Sequence, residues 1–269
     1  MFKLFRKKKK KVALVLGSGG PRGLAHIGVI KILEKYNIPI DLIVGCSAGA
    51  LVGGVYAFNK DIGKIEDIVN RTNYRTLLKA FIDPSWGIGL IKGDEISTFL
   101  KNSFDFVDQD IRDSKILFQA VSTDLETGNE VVFKQGKLID VIRASISVPI
   151  LFEPQSFSGR RLIDGAVSNP LPTNIAKCFG ANLIIAVNLN NSSSFNGISG
   201  KRLKTIRYGQ QALDLLTYNL AKEKAKYADI IIEPEVANIN WLSLTNGRGV
   251  IKKGEVAAFK QIDKIKELL

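Results

Sequence analysis

Gly45-Cys46-Ser47-Ala48-Gly49 is a GxSxG sequence set between a short apolar run and a stretch of helical composition. The spacing suits a nucleophilic serine. Small neighbours let the chain turn sharply from strand to helix, and the turn presents the hydroxyl in a strained, exposed position. The helix N-terminus that follows favours negative charge developing beside it. The chemistry implied is attack of a serine oxygen on an acyl carbonyl. Such a serine needs a base, and the usual one is a histidine downstream of the nucleophile. This chain has one histidine, His26, which lies upstream of Ser47 in a helical stretch, where a packing role is expected.

With histidine counted out, the candidate base is Asp164, in Leu162-Ile163-Asp164-Gly165-Ala166. It ends a short apolar run, so it is expected at a strand-to-loop junction that another loop can approach closely. A carboxylate bonded to a serine hydroxyl acts as a general base when it is held in place and partly desolvated. Asp-Gly alone is an ordinary turn signal, and Asp164 gains its meaning only beside the other motifs. The third of these is Gly17-Ser18-Gly19-Gly20-Pro21-Arg22-Gly23. Successive glycines can aim backbone N–H groups at an anion, and the helix that follows adds its dipole. A dinucleotide pyrophosphate and the oxyanion of acyl transfer both fit. A dinucleotide loop counted from Gly17 requires glycine where Arg22 stands, which favours an oxyanion hole built from Gly19, Gly20, Arg22 and Gly23. Arg22 is expected to orient the loop through carbonyl hydrogen bonds, with contact to a phosphate as the alternative.

The elements that must position these residues are legible in the hydrophobic pattern. Val12–Leu16 is a continuous apolar run, as is 41–44, and both read as buried parallel strands. Leu24–Lys35 and 48–58 carry the composition of packed helices, so the order is strand, turn, helix, strand, turn, helix. That is the βαβ pattern of a parallel sheet covered by helices on both faces. Adjacent parallel strands would set the glycine loop beside Ser47. Further strands are predicted over 116–122, 131–133, 183–187 and 230–232, with a long helix over 202–227 and a closing helix from about Val250. Residues 190–200 read as a flexible surface loop. Residues 61–113, rich in aromatics such as Tyr74, Phe81 and Trp86, read as a helical cap inserted over one sheet edge. Its apolar residues either line an acyl channel or form the cap's own core.

The glycine loop, Gly45-Cys46-Ser47-Ala48-Gly49 and Asp164-Gly165-Ala166 together resemble the patatin-like phospholipase family. The likeness runs from about Lys11 to at least Pro172 and includes Ser122–Gly128 and Arg143–Pro149. It implies a three-layer α/β/α sandwich with a mainly parallel central sheet, a Ser47–Asp164 dyad, and an oxyanion hole around Gly19 and Gly20. It also implies lipid acyl hydrolysis of the phospholipase A or lysophospholipase type. The departure from the family pattern is Ser18, which stands where the glycine motif begins. The rival readings are an acyltransferase on the same dyad and a weakly active lipid-binding or regulatory protein.

Composition limits the remaining classes. In 269 residues, 45% hydrophobic and 24% charged, there is ordinary globular balance. Cys46 and Cys178 are expected as reduced thiols, and neither a metal nor a cofactor is expected. The net charge of +12 is uneven: residues 1–11 hold seven of the 38 basic residues and no acid. This arm, with Phe2, Leu4 and Phe5 among its cations, suits peripheral contact with an anionic membrane better than nucleic acid. The apolar run at 12–16 is too short for a secretory signal or a membrane span. A cytoplasmic protein, peripheral on the inner face of the cell membrane, is therefore expected. The organisation expected is a basic arm over 1–11 and one domain over 12–269.

Overall fold

A computed structural model describes residues 10–72, 91–190, 204–237, 239 and 247–269. Its frame is an eight-stranded sheet in the order β5-β6-β3-β2-β1-β7-β8, with β4 paired to β3 off this path. The strands are β1 (Val12–Leu16), β2 (Leu42–Cys46), β3 (Leu117–Asp124), β4 (Glu130–Phe133), β5 (Gln155–Phe157), β6 (Arg160–Asp164), β7 (Leu183–Val187) and β8 (Ile230–Ile232). β3, β2, β1, β7 and β8 run parallel, whereas β4, β5 and β6 are joined by antiparallel pairings. The helices are α1 (Leu24–Lys35), α2 (Ala48–Asn59), α3 (Ile62–Arg71), α4 (Asp94–Ser103), α5 (Leu138–Ser145), α6 (Thr173–Cys178), α7 (Lys204–Ala225), α8 (Gly247–Phe259) and α9 (Ile262–Leu268).

Period-two alternation distributes the central strands between two cores. Val12, Leu14 and Leu16 of β1 and Leu183, Ile185 and Val187 of β7 face one core, which takes side chains from α1, α2, α3, α4, α5, α8 and α9. Ala13 and Val15, with Ile184 and Ala186, face a second core that includes Ile175 of α6 and Ala221 of α7. Strands buried on both faces read as unbroken apolar runs, which is why β1, β7 and β8 match the residues expected of them. The result is three layers, helices on sheet on helices.

One difference in strand length shapes the functional end of the sheet. Ala120 and Val121 of β3 pair with Gly45 and Cys46 of β2, and also with Phe133 and Val132 of β4. β2 and β4 therefore occupy opposite edges of β3. Ser122 and Thr123 pair with β4 and also with Asp164 and Ile163 of β6. β6 must then lie on the edge that β2 has just vacated, in line with it and running the other way. Asp164 faces Ser122 across this ladder, one step beyond the Val121–Cys46 pair.

The reading of the chain needs adjustment in three places. The short apolar run expected to end as a strand at Asp164 is β6; its partner β5 and the helices α5 and α6 fall between expected elements, because they are short. The closing helix is two helices, α8 and α9, with a break at residues 260–261. Of the expected loop over 190–200, Asn190 is buried at the end of the sheet, and the remainder lies outside the described residues. Tyr74, Phe81 and Trp86 of the expected cap also lie outside them, while Ile65, Ile96, Leu100 and Phe104 on either side join the first core.

α1 and α8 cross at glycines. A Cβ on Gly28 would lie 1.9 Å from the carbonyl oxygen of Ile251, and one on Gly254 would lie 2.0 Å from that of Ala25. Alanine in a helix normally gains up to about 1 kcal/mol over glycine. Here the added methyl meets backbone that no rotamer change can relieve. Gly28→Ala is expected to lower stability by about 3 kcal/mol through overpacking, measured as a reduced midpoint in urea unfolding.

Candidate functional site

β2 ends at Cys46, and Ser47 caps the N-terminus of α2 with φ 53° and ψ −120°. A non-glycine residue held at positive φ carries about 1–3 kcal/mol of strain and persists only where its surroundings enforce it. Three features of the surroundings do so. The N–H of Ser47 donates to Ser145 Oγ at 2.9 Å. Its carbonyl accepts from the N–H groups of Ala50 and Leu51 at 2.9 and 3.1 Å, the first bonds of α2. Gly49 brings that first turn against the end of β1, where a Cβ would lie 2.0 Å from the Leu16 carbonyl oxygen. Gly45 completes the motif inside β2.

Ser47 Oγ donates to Asp164 Oδ2 at 2.6 Å, a short, charge-assisted hydrogen bond. Asp164 is the last residue of β6, and its other oxygen, Oδ1, accepts from Ala166 N–H at 2.8 Å in the short 3₁₀ turn begun by Gly165. Backbone bonds fix the acid from both sides. Its N–H donates to the Ser147 carbonyl at 2.9 Å, and its carbonyl accepts from Thr123 Oγ1 at 3.0 Å. Ser47 and Asp164 are 5% and 2% exposed. Burial raises the Asp164 pKa to about 6, against the opposing pull of its bonds from Ser47 and Ala166. The acid is thus ionised at neutral pH yet far more basic than an exposed aspartate, which is what a general base for an alcohol requires.

The glycine loop follows β1, whose Leu16 pairs with Gly45, so it leaves the sheet beside the Ser47 turn. Gly20–Gly23 form a 3₁₀ turn leading into α1, and Gly23 lies directly against Ala48. Arg22 is directed at protein rather than solvent: its Nε donates to the Gly19 carbonyl at 3.1 Å and its Nη2 to Asn190 Oδ1 at 2.9 Å. Asn190 in turn donates through Nδ2 to the Ser18 carbonyl at 3.1 Å and to Ser18 Oγ at 2.9 Å. His26 is fully buried, and burial lowers its pKa to about 4, so the ring is neutral and Nε2 donates to the Gly17 carbonyl at 2.8 Å. The loop's carbonyls at Gly17, Ser18 and Gly19 are thereby engaged. Its N–H groups at Gly19 and Gly20 have no acceptor among the described residues.

Sequence reasoning named Ser47, Asp164 and the glycine loop, and the structure brings all three to one end of the sheet. It passed over Asn190, which composition assigned to a polar loop, and Ser145, Ser147 and Thr123, which were quoted only as parts of motifs. Their roles depend on hydrogen bonds that join distant segments, and residue type gives no signal of these. Among the described residues no group of three or more His, Cys, Asp or Glu is arranged to hold a metal.

Comparisons with known proteins find relatives for this chain. A family model described as patatin-like phospholipase matches residues 14–177. An uncharacterized NTE family protein of Mycobacterium bovis is 39% identical over 188 residues, 68% of this chain and 50% of that protein. Lysophospholipase NTE1 of Scheffersomyces stipitis is 34% identical over 184 residues, 67% of this chain and 12% of that one. The human patatin-like phospholipase domain-containing protein 6 is 29% identical over 243 residues, 85% of this chain and 16% of that one. The chain thus spans about half the length of the mycobacterial protein and a small part of the eukaryotic ones. Among solved structures, VipD from Legionella pneumophila shares the fold, with a TM-score of 0.55 over 96% of this chain and 67% of that chain at 14% identity.

The Asp164 pKa carries a stability consequence. A group whose pKa is raised on folding contributes stability below its unfolded value, near 4, and loses it as pH rises through about 6. At neutral pH the buried carboxylate costs on the order of 2–3 kcal/mol. Asp164→Asn is expected to raise Tm by several degrees at pH 8 and by much less at pH 4, measured by thermal unfolding across that range.

Proposed function

Given that this chain belongs to the patatin-like phospholipase family, we propose that it is a serine lipid acyl hydrolase acting through Ser47 and Asp164. The observation that carries this reading is the 2.6 Å bond from Ser47 Oγ to the buried Asp164 carboxylate. It is formed at a positive-φ strand-to-helix turn, in a chain whose only histidine is bonded to the glycine loop.

The reaction runs in two steps. Ser47 Oγ attacks the ester carbonyl carbon as Asp164 takes its proton, and the carbonyl oxygen becomes an oxyanion. Collapse of that intermediate breaks the ester bond, and the departing alcohol oxygen takes the proton from Asp164. A water then attacks the acyl-enzyme while Asp164 accepts one of its protons. The fatty acid leaves, and Ser47 recovers its hydrogen from Asp164. The Ser47 N–H is already committed to Ser145, so it is not an oxyanion donor. The N–H groups of Gly19 and Gly20 fill that role, held by the bonds that Arg22, Asn190 and His26 make to the loop. Arg22 acts through the loop and does not touch substrate. A lysophospholipid or phospholipid substrate follows from the family and from a relative named as a lysophospholipase.

A fluorophosphonate probe tests the nucleophile. Wild-type protein is expected to take the label and to release free fatty acid from lysophospholipid with no alcohol acceptor present. Ser47→Ala should lose both, and Asp164→Ala should reduce kcat by at least about 10³-fold, as loss of a base and its positioning requires. Wild-type activity should fall on the acid side with an apparent pKa near 6. An unlabelled wild-type protein that hydrolyses no ester sinks the proposal.

The basic arm over residues 1–11 serves as a peripheral attachment to anionic lipid, at roughly 1 kcal/mol per cation near the surface. No helix among the described residues is long and apolar enough to cross a membrane. Lys10 and Lys11 precede the N-terminal end of β1, whereas the loop after its C-terminal end belongs to the site, so these two lysines and the site lie at opposite ends of that strand. Deleting residues 2–9 is therefore expected to abolish sedimentation with anionic vesicles at low salt. Hydrolysis of a soluble short-chain ester should be unchanged.

A further inference from the structure

The turn that holds Ser47 has a buried polar clasp outside the motif. Ser145, the last residue of α5, is fully buried, and its hydroxyl is used twice. It accepts the N–H of Ser47 at 2.9 Å and donates to the carbonyl oxygen of Val121 at 2.7 Å. Val121 is the residue paired with Cys46, the last position of β2. The hydroxyl therefore stands where a further rung of the β2–β3 ladder would form if β2 continued. It caps the point at which the chain leaves the ladder for φ 53°, and it occupies a donor that extended backbone would have given to β3.

The same short segment also holds the acid. Two residues after Ser145, the carbonyl of Ser147 accepts the N–H of Asp164 at 2.9 Å, and the Ser147 hydroxyl donates to the Arg143 carbonyl at 2.8 Å. The two partners of the 2.6 Å bond approach from different strands, and residues 145–147 are bonded to both of them.

We infer that Ser145 is a positioning residue for Ser47: by accepting the Ser47 N–H while donating to Val121, it holds the nucleophile in the strained turn and sets its distance to Asp164. This rests on the proposed hydrolase reading and names a component of the same site. Ser145 touches no reacting atom. It acts through the backbone of Ser47, and its effect belongs to the chemical step. Removing the hydroxyl leaves a buried N–H and a buried carbonyl each short of a partner. The turn can then relax toward ordinary φ, which withdraws Oγ from the carboxylate. Misplacement of a reacting group by about 1 Å costs on the order of 10²-fold in rate.

Ser145→Ala, Ser145→Thr and Ser145→Cys test this in the full chain, with fluorophosphonate labelling and steady-state hydrolysis of a soluble short-chain ester. For Ser145→Ala we expect kcat and the labelling rate to fall together by roughly 10–100-fold, with KM within about twofold and the apparent pKa near 6 retained. Ser145→Thr, which keeps the hydroxyl, should recover most of the rate. Ser145→Cys, close in shape but a poor acceptor, should behave like alanine and covers the case in which the alanine variant fails to fold. A folded alanine or cysteine variant with wild-type kcat and labelling rate overturns the inference. So does a loss confined to KM, or a threonine variant no faster than alanine. Ser47→Ala separates the two readings. If it retains activity, the proposed function falls and takes this inference with it. If it is inactive while Ser145→Ala is fully active, only the positioning role is lost.

Discussion

β2 stops at Cys46 while β3 runs on to Asp124, and the edge left open beside Ser122 and Thr123 is filled by β6 from the opposite direction. Two chain segments that meet end to end along one edge of a third strand must bring their terminal residues together. Those residues are Ser47, which leaves β2 for α2, and Asp164, which ends β6. Separated by 117 positions in the chain, they are bonded at 2.6 Å because backbone pairing with β3 sets the register of both. A single-residue slip in the β3–β6 ladder would turn Asp164 to the other face of the sheet, and one in the β2–β3 ladder would displace the turn that holds Ser47. The site is therefore as well determined as the centre of the sheet.

The same arrangement sets the electrostatics. Both partners lie almost wholly out of solvent, and among the described residues two hydrogen bonds, from Ser47 and Ala166, oppose the effect of burial on the carboxylate. A stronger set of donors would lower its pKa and make it a poorer base. The fold tolerates a destabilising ion here, and the surrounding layers supply the stability that offsets it. Around the glycine loop the balance is reversed. Arg22, Asn190 and His26 direct their donors at loop carbonyls, which leaves the N–H groups of Gly19 and Gly20 as the loop's unspent donors among the described residues. Burial keeps His26 neutral down to about pH 4, so its bond to Gly17 does not titrate in the range where Asp164 does.

These two halves are joined by the β1–β2 ladder and, beyond its end, by packing. Gly23 rests on Ala48 at the first residue of α2, and Gly49 rests on the end of β1. The glycine turn and the serine turn cannot move apart without opening those contacts, and neither position has room for a side chain. The family motifs can thus be read as steric requirements, in which Gly49 marks where backbone meets backbone and Gly23 where backbone meets the Ala48 methyl.

The sequence by itself determined the local pieces. Continuous apolar runs named β1, β7 and β8 to the residue, since a strand buried on both faces must be apolar throughout. GxSxG after such a run signalled a strand-to-helix turn, and a single upstream histidine excluded the usual triad. Asp164 was reachable through its motif. Local pattern carried no trace of how β6 would seat itself beside β3, nor of the hydroxyl of Ser145, the carbonyl of Ser147 or the amide of Asn190 as partners. Asn190 in particular has the composition of an exposed loop and the burial of a core residue. Short-range periodicity reports which face of an element is buried. Which carbonyl a buried hydroxyl will find is decided only when distant strands come into register, and that is a property of the tertiary structure alone.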